Sequence, residues 1–298
     1  MKNILITGVN GLLGQSLVRK FNKDYHLMGC DLSAFFACQD EYSIDYFVLD
    51  ITNRNDVLKF FSKNKPDIII NAAAYTNVDG CESDRETCWN VNVKSIELME
   101  EACKTFKPLF VHVSTDYVFD GTSGSYRETD EPKSLGYYGM TKLSSEKVVR
   151  NSDFEYIIAR TMVLYGSGVN IRPSFVTWVI EQLKSGKKIN VVDDQIGNPT
   201  FVDDLSEGIY RLLDSEEYGL FHICGNEVCS RYEFAMKIAK IFGLDSSLIN
   251  KVSTKDLEQK APRPMNSSFN MDKLFNTIDW LPGKLDVSIQ KLKTQMEL

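Results

Sequence analysis

"NILITGVNGLLG", residues 3–14, runs from apolar and β-branched residues into three glycines, and its reading decides the fold. Asn3–Thr7 has the composition of a buried strand, and a helix is expected from about residue 11 to 21. Gly8 at the strand end permits a tight turn, Gly11 lets the backbone approach a pyrophosphate, and Gly14 lets helix and strand pack closely. Asn10, Leu12 and Leu13 share that turn, and the free N–H groups of the helix start attract phosphate charge. The GxxGxxG spacing is one residue longer than the GxGxxG fingerprint, and three small residues also make a plain close-packed turn. Its place in the first strand–turn–helix favours a dinucleotide.

Asp31 closes the next strand pattern, "HLMGCD" (26–31), 17 residues beyond Gly14. A carboxylate about 20 residues on is the expected partner of the adenosine ribose. "DLSA" has no arginine to neutralise a 2′-phosphate, so NADH is expected to be preferred, with NADPH still usable. The same aspartate could instead cap its own loop.

Outward from this unit, "YFVLD" (46–50), "DIIIN" (67–71), "LFVHVS" (109–114) and "EYIIART" (155–161) alternate with helical patterns, including one expected across 84–105. Continuous apolar strands between helices indicate an α/β fold, a doubly wound parallel sheet of Rossmann-like type, with its ligand beyond the strands' carboxyl ends. After Gly166 the rhythm changes, so residues 1–165 are read as a dinucleotide-binding domain and 166–298 mainly as a smaller, interleaved substrate domain. The stretch around 194–225 is expected to return to the first. Helices are expected near 174–185, 203–214, 230–242 and 286–297.

The net charge of −7 argues against a nucleic-acid surface, which needs a basic patch. The amino terminus reads as a strand and not a signal peptide, and no stretch approaches the ~20 apolar residues of a membrane span. Seven cysteines without a CxxC pair point to reduced, mostly buried thiols in a cytoplasm. His26, His112 and His222 lack ligand spacing, so no metal is expected. A homodimer is left open.

"YYGMTKLSSEK" (137–147) puts Tyr138 and Lys142 four residues apart, on one helix face. An exposed aromatic resting on a lysine stem would give the same spacing. A phenol with a reference pKa of ~10 is a poor acid–base catalyst near neutrality, and a neighbouring cation is expected to lower it. Tyr138 would then protonate a carbonyl oxygen as hydride arrives, Lys142 would also reach the cofactor ribose, and Tyr137 would pack. Ser114 and Thr115 end the fifth strand and offer a hydroxyl to the same carbonyl, or cap local backbone.

Together with "NAAAYTNVD" (71–79), "STDYVFDG" (114–121), "DQIGNPT" (194–200) and "APRP" (261–264), these features resemble the extended short-chain dehydrogenase/reductase superfamily. Within it the chain is similar to the dTDP-4-dehydrorhamnose reductases over almost its whole length. The resemblance implies NAD(P)H-dependent reduction of a nucleotide-linked 4-keto-6-deoxysugar by Thr115, Tyr138 and Lys142. It implies cofactor contacts at Asp50, Ile51, Ala74, Tyr75 and Thr76, and substrate contacts at Thr115, Asp116, Val163, Gln195, Asn198 and Arg263. Where the family often reads "RTSWVYG" this chain reads "RTMVLYG" (160–166), with Met162 for a serine and Val163 for a tryptophan. Its "LYG" ending also resembles the regulatory β subunit of methionine adenosyltransferase, a binding partner and not a catalyst.

Overall fold

Apolar residues on both faces of a short strand need cover on both sides, and here seven parallel strands receive it. The computed structural model describes residues 1–297. Its first half runs β1 (Asn3–Thr7), α1 (Leu12–Phe21), β2 (His26–Asp31), β3 (Asp45–Val48), α2 (Arg54–Asn64), β4 (Ile68–Asn71), α3 (Val78–Ser83), α4 (Arg85–Trp89), α5 (Ser95–Cys103), β5 (Leu109–Thr115), α6 (Tyr137–Asn151) and β6 (Tyr156–Thr161). The second half holds β7 (Leu164–Tyr165), α7 (Phe175–Lys184), β8 (Ile189–Val192), β9 (Ile196–Gly197), β10 (Thr200–Phe201), α8 (Val202–Asp214) and β11 (Gly219–His222). It continues through β12 (Cys229–Ser230), α9 (Arg231–Phe242), β13 (Ile249–Val252), α10 (Asp272–Ile278) and α11 (Leu285–Glu297).

The main sheet has the order β11-β6-β5-β4-β1-β2-β3, every pair parallel. Side chains alternate across it. Ile4 and Ile6 of β1 join a core with Leu17 of α1 and Leu205 and Ile209 of α8, whereas Leu5 joins Val57 and Phe61 of α2 and Met99 of α5. A third core, away from the sheet, gathers Val176 and Ile180 of α7, Phe234 and Ile238 of α9, and Ile289 of α11. Thus β11, from the chain's later part, extends the sheet beside β6, while α7, α9 and α11 build a separate unit around the paired β8 and β13.

One expected helix is not continuous. Residues 84–105 divide into α4, a π-helical turn (Asn90–Lys94) and α5. The wide turn places Asn92, whose Oδ1 accepts the Tyr75 N–H at 2.8 Å and whose Nδ2 donates to the Tyr75 carbonyl at 3.2 Å and to Thr141 Oγ1 at 3.0 Å. One side chain therefore pins the loop after β4 to α6. Such bulges commonly serve functional sites.

Candidate active site

The strand order reverses between β1 and β4, and a cleft of about 730 Å³ opens there beyond the strands' carboxyl ends. Gly8, Asn10, Gly11, Leu12, Leu13 and Gly14 line it. A Cβ on Gly14 would strike the Gly8 carbonyl and Val9, so only glycine lets α1 start this close to β1. Asp31, Asp50 and Ile51 line the cleft on the β2 side, and Ala74 and Thr76 follow β4. Asp31 Oδ1 accepts the Leu32 N–H of its own loop at 2.8 Å, as the capping alternative has it, and Oδ2 accepts the Asn10 N–H of the turn at 3.2 Å. Tyr75 is not among the lining residues; Asn92 holds its backbone.

Thr115, Asp116, Tyr138, Lys142 and Val163 line the same cleft on the β5–β6 side. Thr115 Oγ1 donates to Asp116 Oδ1 at 3.0 Å, and Asp116 Oδ2 accepts from Ser267 at 2.6 Å. Burial raises the Asp116 carboxyl, and the bonds from Ser267 and Thr115 oppose the shift. Gly139 brings α6 against the turn after β5, because a Cβ there would meet the Tyr117 carbonyl. The Tyr138 ring consequently meets Tyr117 edge-on, centroids 5.6 Å apart at 75°. Tyr137 turns elsewhere, with the Arg85 guanidinium 4.9 Å from its ring centre. Ser114 is committed to Glu146 at 2.6 Å, and Glu146 receives Arg160 through two further bonds of 2.8 and 2.7 Å. This ion pair is fully buried, so removing one partner would strand a charge in the interior.

The electrostatics correct the expectation that Lys142 lowers the Tyr138 pKa. Desolvation, and next the Asp116 carboxylate, push the phenol well above its ordinary value, while the Thr115 hydroxyl pulls the other way. The Lys142 side chain is 2% exposed and its Nζ lies 3.4 Å from His112 Nε2. Burial lowers its pKa from 10.5 to about 8, against the opposing effect of Glu146. The cleft therefore holds a protonated phenol and, one helical turn further along α6, a lysine whose pKa is lowered to about 8.

The three remaining candidates do not line the cleft. Asn198 donates to the Gly225 carbonyl at 2.9 Å and accepts the Phe269 N–H at 2.9 Å, so both ends of its amide brace loops. Gln195 bonds Thr254 and Gln259, and Arg263 pairs with Asp79 at 3.0 Å. Two cations escaped sequence reasoning. Arg172 and Lys142 are the only basic residues lining the cleft among the described residues. Arg172 sits on a loop tied over the turn by Gln15, which bonds the Val169 carbonyl and N–H at 2.8 Å each. Arg231, over the Phe175 ring, acts on Asp116 and Tyr117 electrostatically. Neither follows a spacing rule; only the fold brings them near.

The family described as RmlD substrate binding domain matches residues 1–296. The chain belongs to this family. It is 32% identical to the dTDP-4-dehydrorhamnose reductase of Aggregatibacter actinomycetemcomitans, with all of both chains covered. A solved dTDP-4-dehydrorhamnose reductase from Bacillus anthracis, in complex with NADP, is 31% identical and superposes with a TM-score of 0.86 over 99% of each chain. The β subunit of methionine adenosyltransferase 2 from Xenopus tropicalis is 31% identical over 92% of this chain and 81% of its own.

Within this RmlD family member, Met162 and Val163 follow directly on β6. Val163 takes a φ of 47°, which a β-branched residue rarely adopts, at a typical cost of about 1–3 kcal/mol. Pairing of β7 with β10, and the Thr200 N–H donating to the Val163 carbonyl at 3.2 Å, hold it there. Met162 is buried, and its Sδ accepts the Asn198 N–H at 3.0 Å. The thioether thus takes a structural bond that fixes the 194–200 loop.

Proposed function

We propose that this chain is an NAD(P)H-dependent oxidoreductase, preferring NADH, that reduces a nucleotide-linked 4-keto-6-deoxysugar, dTDP-4-dehydro-L-rhamnose to dTDP-L-rhamnose. The observation that carries the reading is the meeting of Thr115, Tyr138 and Lys142 in the cleft that also contains the glycine turn and Asp31. The donor set suits a dinucleotide: helix-start N–H groups at Leu12 and Leu13 and Arg172 for its phosphates, and carboxylates at Asp31 and Asp50 for ribose and adenine. When bound, the dinucleotide supplies a hydride.

The residues supply the rest. Tyr138, kept protonated by burial, donates its proton to the carbonyl oxygen as the carbon is reduced. Lys142 holds positive charge beside the phenolate left behind and reaches the cofactor ribose. Thr115 turns its hydroxyl from Asp116 to the same oxygen and orients the carbonyl, while Asp116 contacts the sugar. Residues 1–165 form the dinucleotide domain and 166–298 mainly the sugar domain. Val163 offers the sugar less apolar surface than an indole. Arg231 and Arg263 place positive charge near Tyr117, which suits the substrate's diphosphate. Gln195 and Asn198 act by shaping the loops around it. The protein is read as cytoplasmic, and as a homodimer or monomer.

Incubation with NADH and a panel of nucleotide 4-ketosugars, following nicotinamide absorbance, tests the reading; silence across the panel contradicts it. Likeness to the methionine adenosyltransferase β subunit favours a second reading, as a cofactor-binding regulatory subunit. That reading requires no turnover and a stable complex with the adenosyltransferase on a sizing column. Cofactor choice has its own test. Asp31→Ser removes the ribose partner and the charge that repels a 2′-phosphate, so kcat/KM should fall for NADH and rise for NADPH relative to it. An unchanged ratio would put the selecting residue elsewhere, in the 33–45 loop.

A further inference from the structure

His112 has no part in the chemistry above, yet it is fully buried and lies against the lysine. Its surroundings fix its proton. The Ala73 N–H donates to Thr7 Oγ1 at 3.3 Å, and the Thr7 hydroxyl donates to Asn71 Oδ1 at 2.6 Å. With its oxygen so engaged, Asn71 turns its amide nitrogen to His112 Nδ1, 3.3 Å away. An amide NH₂ only donates, so Nδ1 accepts and the neutral ring carries its proton on Nε2. Nε2 lies 2.9 Å from Ser145 Oγ, which gives its own proton to the Lys142 carbonyl at 2.7 Å. Each side chain accepts once and donates once, in one direction from the Ala73 N–H to the Lys142 carbonyl; Nε2, whose proton goes to Ser145, offers no lone pair to the Lys142 ammonium 3.4 Å away, so the lysine is held through its backbone.

We propose that the chain Thr7–Asn71–His112–Ser145 is a positioning device that holds the Lys142 backbone, and with it the ammonium, at its working depth beside an imidazole kept neutral. It ties β1, β4 and β5 to α6 and starts at Ala73, which itself lines the cleft. A second proton on the ring would oppose an N–H to the Asn71 NH₂ and set a cation 3.4 Å from Lys142 Nζ. Burial, and then Lys142, hold this imidazole well below its usual range. The groups that face it are Asn71 from β4, Ser145 and Lys142 from α6, and the Phe110 ring from β5 itself, 6.5 Å away; of these only Lys142 is charged. The proposal rests on the reading of Lys142 as the working cation of the cleft.

Two measurements test it. In the wild-type protein, ¹⁵N NMR should find His112 as the Nε2–H tautomer, unchanged from about pH 5 to 8, where an ordinary histidine titrates. An Nδ1–H tautomer or a titrating ring overturns the chain. His112→Phe keeps a buried ring without either nitrogen. Turnover and NADH affinity should each drop on the order of tenfold or more, because misplacing a catalytic group by about 1 Å can cost 10²-fold. His112→Gln, which restores a donor toward Ser145, should recover part of the loss. In a Lys142→Met background, His112→Phe should cost nothing further in NADH affinity, since the chain acts only by placing the lysine. Equal losses in both backgrounds would reduce His112 to a core residue and refute the proposal. NADH affinity is measured at equilibrium without sugar, so this cycle stands apart from any failure of the sugar assignment. If His112→Phe does not fold, the wild-type tautomer decides.

Discussion

Tyr138→Phe is expected to lower kcat by about 10²- to 10⁴-fold, the usual contribution of a positioned acid–base group, with NADH affinity little changed. The variant loses one hydroxyl and keeps the ring that packs edge-on against Tyr117. Burial and the Asp116 carboxylate hold the wild-type phenol protonated through the working pH range, so the defect should be the same at every pH tested. Steady-state kinetics with an equilibrium NADH titration check this. Near-normal turnover in a folded variant would remove Tyr138 from the mechanism.

Lys142→Met should damage both turnover and NADH binding, because one ammonium serves phenol and ribose. Its pH behaviour follows from the lowered pKa. Wild-type kcat should fall as pH rises through about 8, where the ammonium is lost, and the methionine variant should lack that limb. Stability runs the opposite way. Between about 8 and 10.5 the unfolded chain binds the lysine proton and the folded one does not, so stability from this group rises with pH across that window. Below it, the folded protein carries a buried cation at a cost. Lys142→Met removes that cost, so the inactive variant should melt at a higher temperature than wild type at pH 7, a trade of stability for activity. A lower melting temperature, or a retained alkaline limb, would contradict the assigned role.

Much of this was legible in the sequence because local patterns determine it. β1 and β2 occupy Asn3–Thr7 and His26–Asp31 as read, since continuous apolar runs ending in glycine or aspartate have no other economical placement in an α/β chain. Tyr138 and Lys142 share a face of α6 because helical spacing requires it. The π turn at Asn90–Lys94 was not legible, because it is set by what Asn92 bonds across the fold and not by its neighbours in sequence. The same holds for Arg172, brought over the glycine turn by the distant Gln15. The pKa of Tyr138 departs from the expectation set by spacing for a related reason. Spacing puts a cation nearby, but only the fold shows that the phenol is desolvated beside Asp116. Asn198 and Gln195 lie in a family segment, yet their amides are spent on loops, a distinction that sequence likeness does not carry.

The cofactor question has a particular interest, since the related Bacillus anthracis reductase was solved with NADP, whereas Asp31 here meets the turn with a carboxylate. The central claim is that the cleft moves hydride to the sugar. The most direct test is a single turnover with NADH deuterated at the transferring position and dTDP-4-dehydro-L-rhamnose, with mass spectrometry and NMR of the product. The expected product carries one deuterium, on C4 of dTDP-L-rhamnose, formed by the purified protein alone and about 10²- to 10⁴-fold more slowly in Tyr138→Phe. An unlabelled, unreduced sugar recovered beside intact NADH would contradict it.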